Sequence, residues 1–263
     1  MSPLTPEITL CPLPQTDGSC QYTCPTSRTT ILTSVNGPLE VRAKDELPND
    51  ATIEVIVKPG IGVGGVRETR LSTLLQTTLK SLILTTHHPR TLIQIVAQIV
   101  QSEDHTSIPL LLSPLLNSTI LSLLIAGIPL RTTGWSIHLA VLPANTPIPA
   151  AHKDTILPNE EGESAEEGAM ETDEGEGREV IVRNPGRVLL SKAKSSHTLV
   201  FSKEGQMLLI ESVECSEGVG GESADGQGWD IEEWLRIMRI AKGLCCGEGV
   251  EVVRDALGDR KIF

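Results

Sequence analysis

Aromatic residues are scarce in this chain of 263 residues, which contains three Trp, two Phe and one Tyr. A hydrophobic core must therefore be built mainly from Leu, Ile and Val. Apolar residues make up 39% of the sequence, which is enough for a sizeable core. The length suits one large domain or two small ones.

An excess of basic residues is also missing. The chain has 22 Lys and Arg against 34 Asp and Glu, which gives a net charge of -12. A basic footprint for nucleic acid over the whole chain is thereby excluded, although a local basic patch remains possible. Nine of the acids lie between residues 160 and 176 with no Lys or Arg among them, and without them the net charge would be -3.

Targeting and disulfide patterns are absent as well. The N-terminus has no basic start followed by an apolar run, so we expect no secretory signal. The six Cys, at positions 11, 20, 24, 215, 245 and 246, do not resemble a disulfide framework, which favours a reducing, intracellular compartment. Cys11, Cys20 and Cys24 could hold zinc only with a fourth ligand.

One long apolar run, residues 108–130, has the length of a membrane span. Pro, Ser and Asn residues interrupt it at positions 109, 113, 114, 117, 118 and 122. We interpret this run as a buried helix, and no membrane association is expected.

The hydrophobic pattern predicts a flexible tail over residues 1–27, followed by two antiparallel strands at 39–41 and 53–57 with a turn at 48–50. The glycine-rich loop 59–65 then leads into a helix. Its apolar stripe consists of Leu71, Leu74, Leu75, Leu79, Leu82 and Ile83.

Further along, the pattern predicts a strand at 91–100, a helix at 115–126 and a strand at 135–141. The acidic stretch, about 159–179, should be disordered. Two strands near 198–201 and 207–211 precede a last helix, capped by Asp230, with a buried face of Ile231, Trp234, Leu235, Met238 and Ala241. The predicted fold class is α/β, an α+β two-layer sandwich with helices against one mixed sheet. Residues 28–263 would form a single domain.

Three segments at element boundaries carry a resemblance to a known family. They are Gly-Pro-Leu-Glu-Val-Arg at 37–42, His-Pro-Arg-Thr at 88–91 and Ala-Gly-Ile-Pro-Leu-Arg at 126–131. In this order and at these separations they resemble the RNase PH-like subunits of the exosome ring. The resemblance implies an RNase PH-like fold, also described as ribosomal protein S5 domain 2-like.

The resemblance further implies a hetero-oligomeric ring around a channel for single-stranded RNA. Its partners would be other RNase PH-like ring subunits, especially the ribosomal RNA-processing protein 43 type, together with cap subunits and associated nucleases. Its locations would be nucleus, nucleolus and cytoplasm. The chain would take part in RNA processing and degradation, including that of rRNA.

Active members of this family cleave RNA with phosphate, which they hold with Gly-Thr-Arg directly after the third strand. Here that stretch contains Glu103 and Asp104 and no Arg, and the two acids would repel phosphate. Carboxylates that help bind a divalent metal also normally follow a strand, but residues 156–159 read Ile-Leu-Pro-Asn. We therefore predict a non-catalytic structural subunit, with no catalytic residue, metal or cofactor.

Two other functions remain as alternatives: an active phosphate-dependent 3'-5' exoribonuclease, and an unrelated acidic adaptor of the same fold class. Candidate RNA-binding residues are Arg67, Arg70 and Arg90. Arg67 and Arg70 lie in the family's channel-facing region, but both could be ordinary solvated helix charges. Arg90 and Arg131 lie in turns, where an Arg can be a structural tie or an RNA ligand.

Overall fold

The computed structural model contains two β-sheets and the helices that pack against them. It describes residues 5–104, 107–143, 146–148, 156–157, 179–214 and 231–258. The first sheet has the order β1-β2-β3-β5-β4, and only its β4–β5 pair is parallel. Its strands are β1 Glu7–Leu10, β2 Gly18–Cys24, β3 Thr29–Glu40, β4 Thr52–Lys58 and β5 Thr91–Gln101.

The second sheet is antiparallel throughout and has the order β7-β6-β8-β9. Its strands are β6 Gly134–Leu142, β7 Val180–Arg183, β8 Ser195–Ser202 and β9 Met207–Glu214. The α-helices are α1 Val66–Leu82, α2 Ile108–Ile125, α3 Arg187–Leu190, α4 Ile231–Cys246 and α5 Glu248–Gly258, and a 3-10 turn covers Thr85–His87.

Helix α2 explains why there are two sheets rather than the single mixed sheet that we predicted. Its residues are apolar or small and polar, and nearly all of them are buried. It packs against β2 and β3 of the first sheet and against β6 and β8 of the second. A helix without a polar face must be covered on all sides, so each sheet covers one side of it.

The candidate membrane span is this same helix. Among the described residues, Ile108–Ile125 is the one helix that is long and apolar enough to cross a membrane, and 83% of it is buried inside the fold. The prediction of a buried helix is confirmed. It ends at Ile125 and is capped by Ala126; Gly127 follows with φ +69°, and the N–H groups of Gly127 and Ile128 donate to the carbonyls of Leu124 and Leu123, a Schellman motif.

The predicted tail is wrong over the residues that the structure describes there. β1 and β2 lie within 1–27, and Cys20, Tyr22 and Cys24 of β2 are at most 4% exposed. These side chains alternate along the strand and point into the core. The pattern was hard to recognise because small polar residues and thiols, rather than aliphatic residues, form it.

The predicted antiparallel pair at 39–41 and 53–57 also needs correction. β3 begins already at Thr29, and β5 lies between β3 and β4. β3 pairs with β5 antiparallel and β4 pairs with β5 parallel, so β3 and β4 run in opposite directions without being neighbours. Helix α1 makes the crossover that a parallel β4–β5 pair requires.

The apolar stripe of α1 is confirmed: Leu71, Leu75, Leu79 and Leu82 are at most 1% exposed. The predicted face of the last helix is partly wrong. Ile231 is 75% and Leu235 is 54% exposed, and the buried residues of α4 are Ile237, Ala241 and Cys245. Residue 230 and the stretch 158–178, with the predicted helix cap and most of the acidic insertion, lie outside the described residues.

Candidate functional site

The three candidate RNA-binding arginines do not form one group. Arg67 and Arg70 lie at the start of α1, beside the end of β4, whereas Arg90 directly precedes β5. Because β4 and β5 are parallel, the start of β5 and the start of α1 lie at opposite ends of the first sheet. The 17 residues of α1 correspond to a helix of roughly 25 Å, which indicates the scale of this separation.

Arg67 is exposed, and so is the loop before it, where Ile61 and Val63 are 87% and 97% exposed. Arg70 forms an ion pair with Glu211 of β9, whose side chain is only 15% exposed. This pair joins α1 to the second sheet. Arg70 therefore has a structural partner, and Arg67 is the better placed of the two to meet a ligand.

Arg90 and Arg131 both make backbone contacts that fix turns. Arg90 has φ +60°, and its N–H lies 3.3 Å from the carbonyl oxygens of Leu47 and Asp50. Its side-chain Nε is 3.4 Å from Glu46 Oε1. The N–H of Arg131 donates to the Leu82 carbonyl at 2.7 Å. The ion pair with Glu46 favours the structural alternative for Arg90.

The end of β5 is the place where the family resemblance predicts a phosphate cradle. Glu103 lies just beyond this strand, and its Oε2 accepts the backbone N–H of Arg187 at 3.1 Å. Its Oε1 is 3.6 Å from Nε of Arg28, which lies in the turn between β2 and β3. A carboxylate thus accepts a backbone N–H and pairs with a guanidinium at the position where the resemblance places the phosphate cradle of active family members.

Residues 156–157, the described part of the stretch where the family resemblance expects metal-binding carboxylates, contain no carboxylate. Ile156 and Leu157 lie beside β7, and the N–H of Leu157 donates to the Ile181 carbonyl. β7 itself ends in Arg183, and Asn184 follows it. Among the described residues, no group of three or more His, Cys, Asp or Glu could hold a metal ion.

The cysteines of the predicted tail are poor candidates for zinc. Cys20 and Cys24 are buried in β2, and all five described cysteines have free thiols. Burial raises the pKa of Cys20 to about 12, which keeps its thiol protonated. Zinc binds the thiolate, so this environment disfavours metal binding at Cys20.

Two buried histidines were missed by the sequence analysis. His138 in β6 is 2% exposed and His197 in β8 is fully buried. Burial lowers the pKa of His138 to about 3 and that of His197 to about 4. His138 alternates with apolar neighbours in the predicted strand 135–141, and this alternation was the available signal. His197 lies just before the predicted strand at 198–201, between Ser196 and Thr198, and carries no such signal.

Their neighbours are serine hydroxyls. His197 Nδ1 is 2.9 Å from Ser212 Oγ, its Nε2 is 3.0 Å from Ser195 Oγ, and His138 Nε2 is 3.4 Å from Ser196 Oγ. Each neutral imidazole thereby has a hydrogen-bonding partner without a charge. The arrangement favours buried structural histidines.

Comparisons with known proteins agree with this architecture. Residues 5–129 match the family model RNase_PH, described as 3' exoribonuclease family, domain 1. The match covers just under half of the chain, and residues 5–129 are similar to domain 1 of that family.

The similar proteins have more specific names than the family model. The chain is 38% identical over 132 residues to "Exosome complex component RRP46" of Saccharomyces cerevisiae, a match that covers 49% of this chain and 58% of the yeast protein. It is 34% identical over 131 residues to "Exosome complex exonuclease RRP46 homolog" of Oryza sativa, covering 50% and 52% of the two chains. The matches thus span about half the length of these relatives.

A solved structure covers almost the whole chain. The crystal structure of rice Rrp46 superimposes with a TM-score of 0.66 and 22% identity, covering 98% of this chain and 97% of that one. At this identity the likeness defines the fold, which is RNase PH-like. The predicted fold class and family resemblance are confirmed.

Proposed function

We propose that this chain is a non-catalytic structural subunit of an RNA exosome ring that supports 3'-5' RNA processing and degradation. The exosome component of yeast that it resembles supports the assembly, and Glu103 supports the lack of catalysis. A phosphorolytic enzyme must hold phosphate beside the RNA end. A carboxylate at that position repels phosphate and already binds the nearby donors.

The proposed partners are other RNase PH-like ring subunits, especially the ribosomal RNA-processing protein 43 type, with cap subunits and associated nucleases. Single-stranded RNA would pass through the ring channel. The proposed locations are nucleus, nucleolus and cytoplasm, where RNA processing and degradation take place.

The first test is assembly. The native mass of the purified chain is measured alone and after mixing with the other candidate ring subunits. We expect stable incorporation into a ring. If the chain stays out of the ring, the proposed function is wrong and only the fold remains.

The second test is RNA contact through the start of α1. Arg67→Glu and Arg70→Glu are made separately, because Arg70 also holds Glu211. We expect Arg67→Glu to weaken binding of single-stranded RNA to the assembled ring by about threefold at low salt, since phosphate contacts depend on cations and are screened by salt. Fluorescence anisotropy and the length of protected RNA are the measurements.

Lys80→Glu is the matched control for this test. Lys80 is exposed on the last turn of the same helix, so the substitution makes the same change in charge at the other end of α1. Equal effects of Arg67→Glu and Lys80→Glu would mean that only net charge matters and that Arg67 does not contact RNA.

An active phosphate-dependent 3'-5' exoribonuclease is the alternative, and the name "exonuclease" of the rice relative favours it. The assay is release of nucleoside diphosphates from single-stranded RNA by the purified chain, with and without inorganic phosphate. We expect none. Phosphate-dependent release would establish the alternative and remove the non-catalytic proposal.

A further inference from the structure

Glu103 ties together three segments that are distant in the sequence. Its two carboxylate oxygens contact Arg28, from the turn between β2 and β3, and the N–H of Arg187, the first residue of α3. Glu103 itself lies in the connection between β5 and α2. Glu103 therefore links the β2–β3 turn of the first sheet to α3, and its side chain is 27% exposed and thus within reach of solvent.

The surroundings of Glu103 are more basic than the rest of this acidic chain. The side chain of Arg28 is 76% exposed, and Arg187 and Lys192 are also exposed. Residues 183–194 contain four Lys and Arg and no acid. Arg183 pairs with Glu248 and Lys194 pairs with Glu179 and Glu233, so the exposed cationic residues in contact with Glu103 are Arg28 and Arg187.

A phosphate group would use the same interactions as this carboxylate. Both present anionic oxygens that accept N–H groups and pair with a guanidinium. The carboxylate has the advantage of being part of the chain, because an internal group competes at a high effective concentration. Its negative charge also repels an approaching phosphate.

We propose that Glu103 is an internal competitor for phosphate groups, which keeps them from binding between Arg28 and Arg187. This inference rests on the proposed function, which is the reason why RNA is the polymer that is tested. It assigns Glu103 an autoinhibitory contact rather than the passive loss of a ligand residue.

The test uses the full chain with Glu103→Gln, which keeps the side-chain length and an acceptor oxygen but removes the charge. Binding is measured at low salt with a fluorescent single-stranded RNA, and by calorimetry with inorganic phosphate. We expect RNA affinity to rise by about threefold, the size expected for removal of one exposed charge contact. Adding Arg28→Ala to Glu103→Gln should abolish the gain.

Two further variants separate the local contact from general effects. Glu40→Gln removes the same charge at the opposite end of β3, where the side chain is exposed, and should change RNA affinity less than Glu103→Gln. Glu103→Asp keeps the charge and should give no gain. Circular dichroism of each variant reports whether the fold is retained.

Measurements with inorganic phosphate and with RNA show which kind of phosphate group the site freed by Glu103→Gln takes. If inorganic phosphate competes with RNA for the Glu103→Gln variant, the freed site takes a single phosphate group. If the gain is for RNA without such competition, the site takes the polymer backbone. Equal gains in Glu40→Gln and Glu103→Gln, or a gain that survives Arg28→Ala, would overturn the proposal.

Ring incorporation distinguishes this failure from failure of the proposed function. A Glu103→Gln variant that enters the ring without gaining affinity overturns the internal competitor and leaves the ring subunit intact. A wild-type chain that does not enter the ring overturns the ring subunit, while the phosphate measurement on the isolated chain still decides the role of Glu103.

Discussion

Two buried histidines of the second sheet make the free energy of unfolding depend on pH. Burial holds the pKa of His138 at about 3 and that of His197 at about 4, below the ordinary value of 6.5. The unfolded chain therefore binds more protons than the folded chain between these values. The contribution of these two histidines to the free energy of unfolding is fully present above pH 6.5 and is lost as the pH falls toward 4.

The magnitude follows from the unfolded state, because the folded histidines stay neutral down to pH 5. Each histidine lowers the free energy of unfolding by roughly 2 kcal/mol between pH 7 and pH 5, so the pair accounts for roughly 4 kcal/mol. This is a large fraction of the roughly 5–15 kcal/mol that stabilises a typical domain.

The assay is urea unfolding of wild type and His138→Gln at both pH values, followed by circular dichroism. We expect the wild type to lose roughly 2 kcal/mol more than the variant between pH 7 and pH 5. Protonation of carboxylates also contributes, but it affects both proteins alike. His88→Gln, outside the core, controls for deletion of a histidine. An identical pH dependence of wild type and His138→Gln would refute the reasoning.

Three other substitutions test the packing. Asn117→Ala should cost about 2–5 kcal/mol in urea unfolding, because the Asn117 amide bonds both the N–H and the carbonyl of Ser136, which would be left unpaired in the core; a cost near zero would contradict this role. Gly127→Ala should cost about 1 kcal/mol through its φ of +69° alone, since no atom lies within 4 Å of the added Cβ, and a larger loss of thermal stability would indicate a clash. Glu248→Ala should destabilise more than Arg183→Met combined with Glu248→Ala, because the single change leaves the Arg183 guanidinium, 11% exposed, without its partner. The double-mutant cycle by thermal unfolding checks this order.

Apolar residues at regular spacing over long segments made much of the fold predictable. The stripe of α1, the strand at β5 and the buried α2 follow from leucine and isoleucine spacing, because burial of aliphatic side chains dominates their stability. The tail and α5 were not predicted as structured elements. β2 uses cysteines and a tyrosine as its buried residues, and glycines at 247 and 249 flank the start of α5, where Gly249 packs directly against Trp135.

The candidate site was predictable only in part. The two acids at the expected position of the phosphate cradle, Glu103 and Asp104, could be read from the sequence, because the resemblance fixes where that cradle should follow β5. The contact with Arg28 could not be predicted, because residues 75 positions apart in sequence meet only when the first sheet has formed. The distance between Arg90 and Arg67 could not be predicted either, because it depends on the parallel pairing of β4 and β5.

The burial of α2 by both sheets has a consequence for synthesis of the chain. When the ribosome has released only the first 130 residues, β6 and β8 do not yet exist, and the side of α2 that they cover is exposed. Such an apolar surface favours aggregation or chaperone binding until residue 202 has emerged and β8 can form. A truncated gene product ending after the matched family domain would retain this exposed surface permanently.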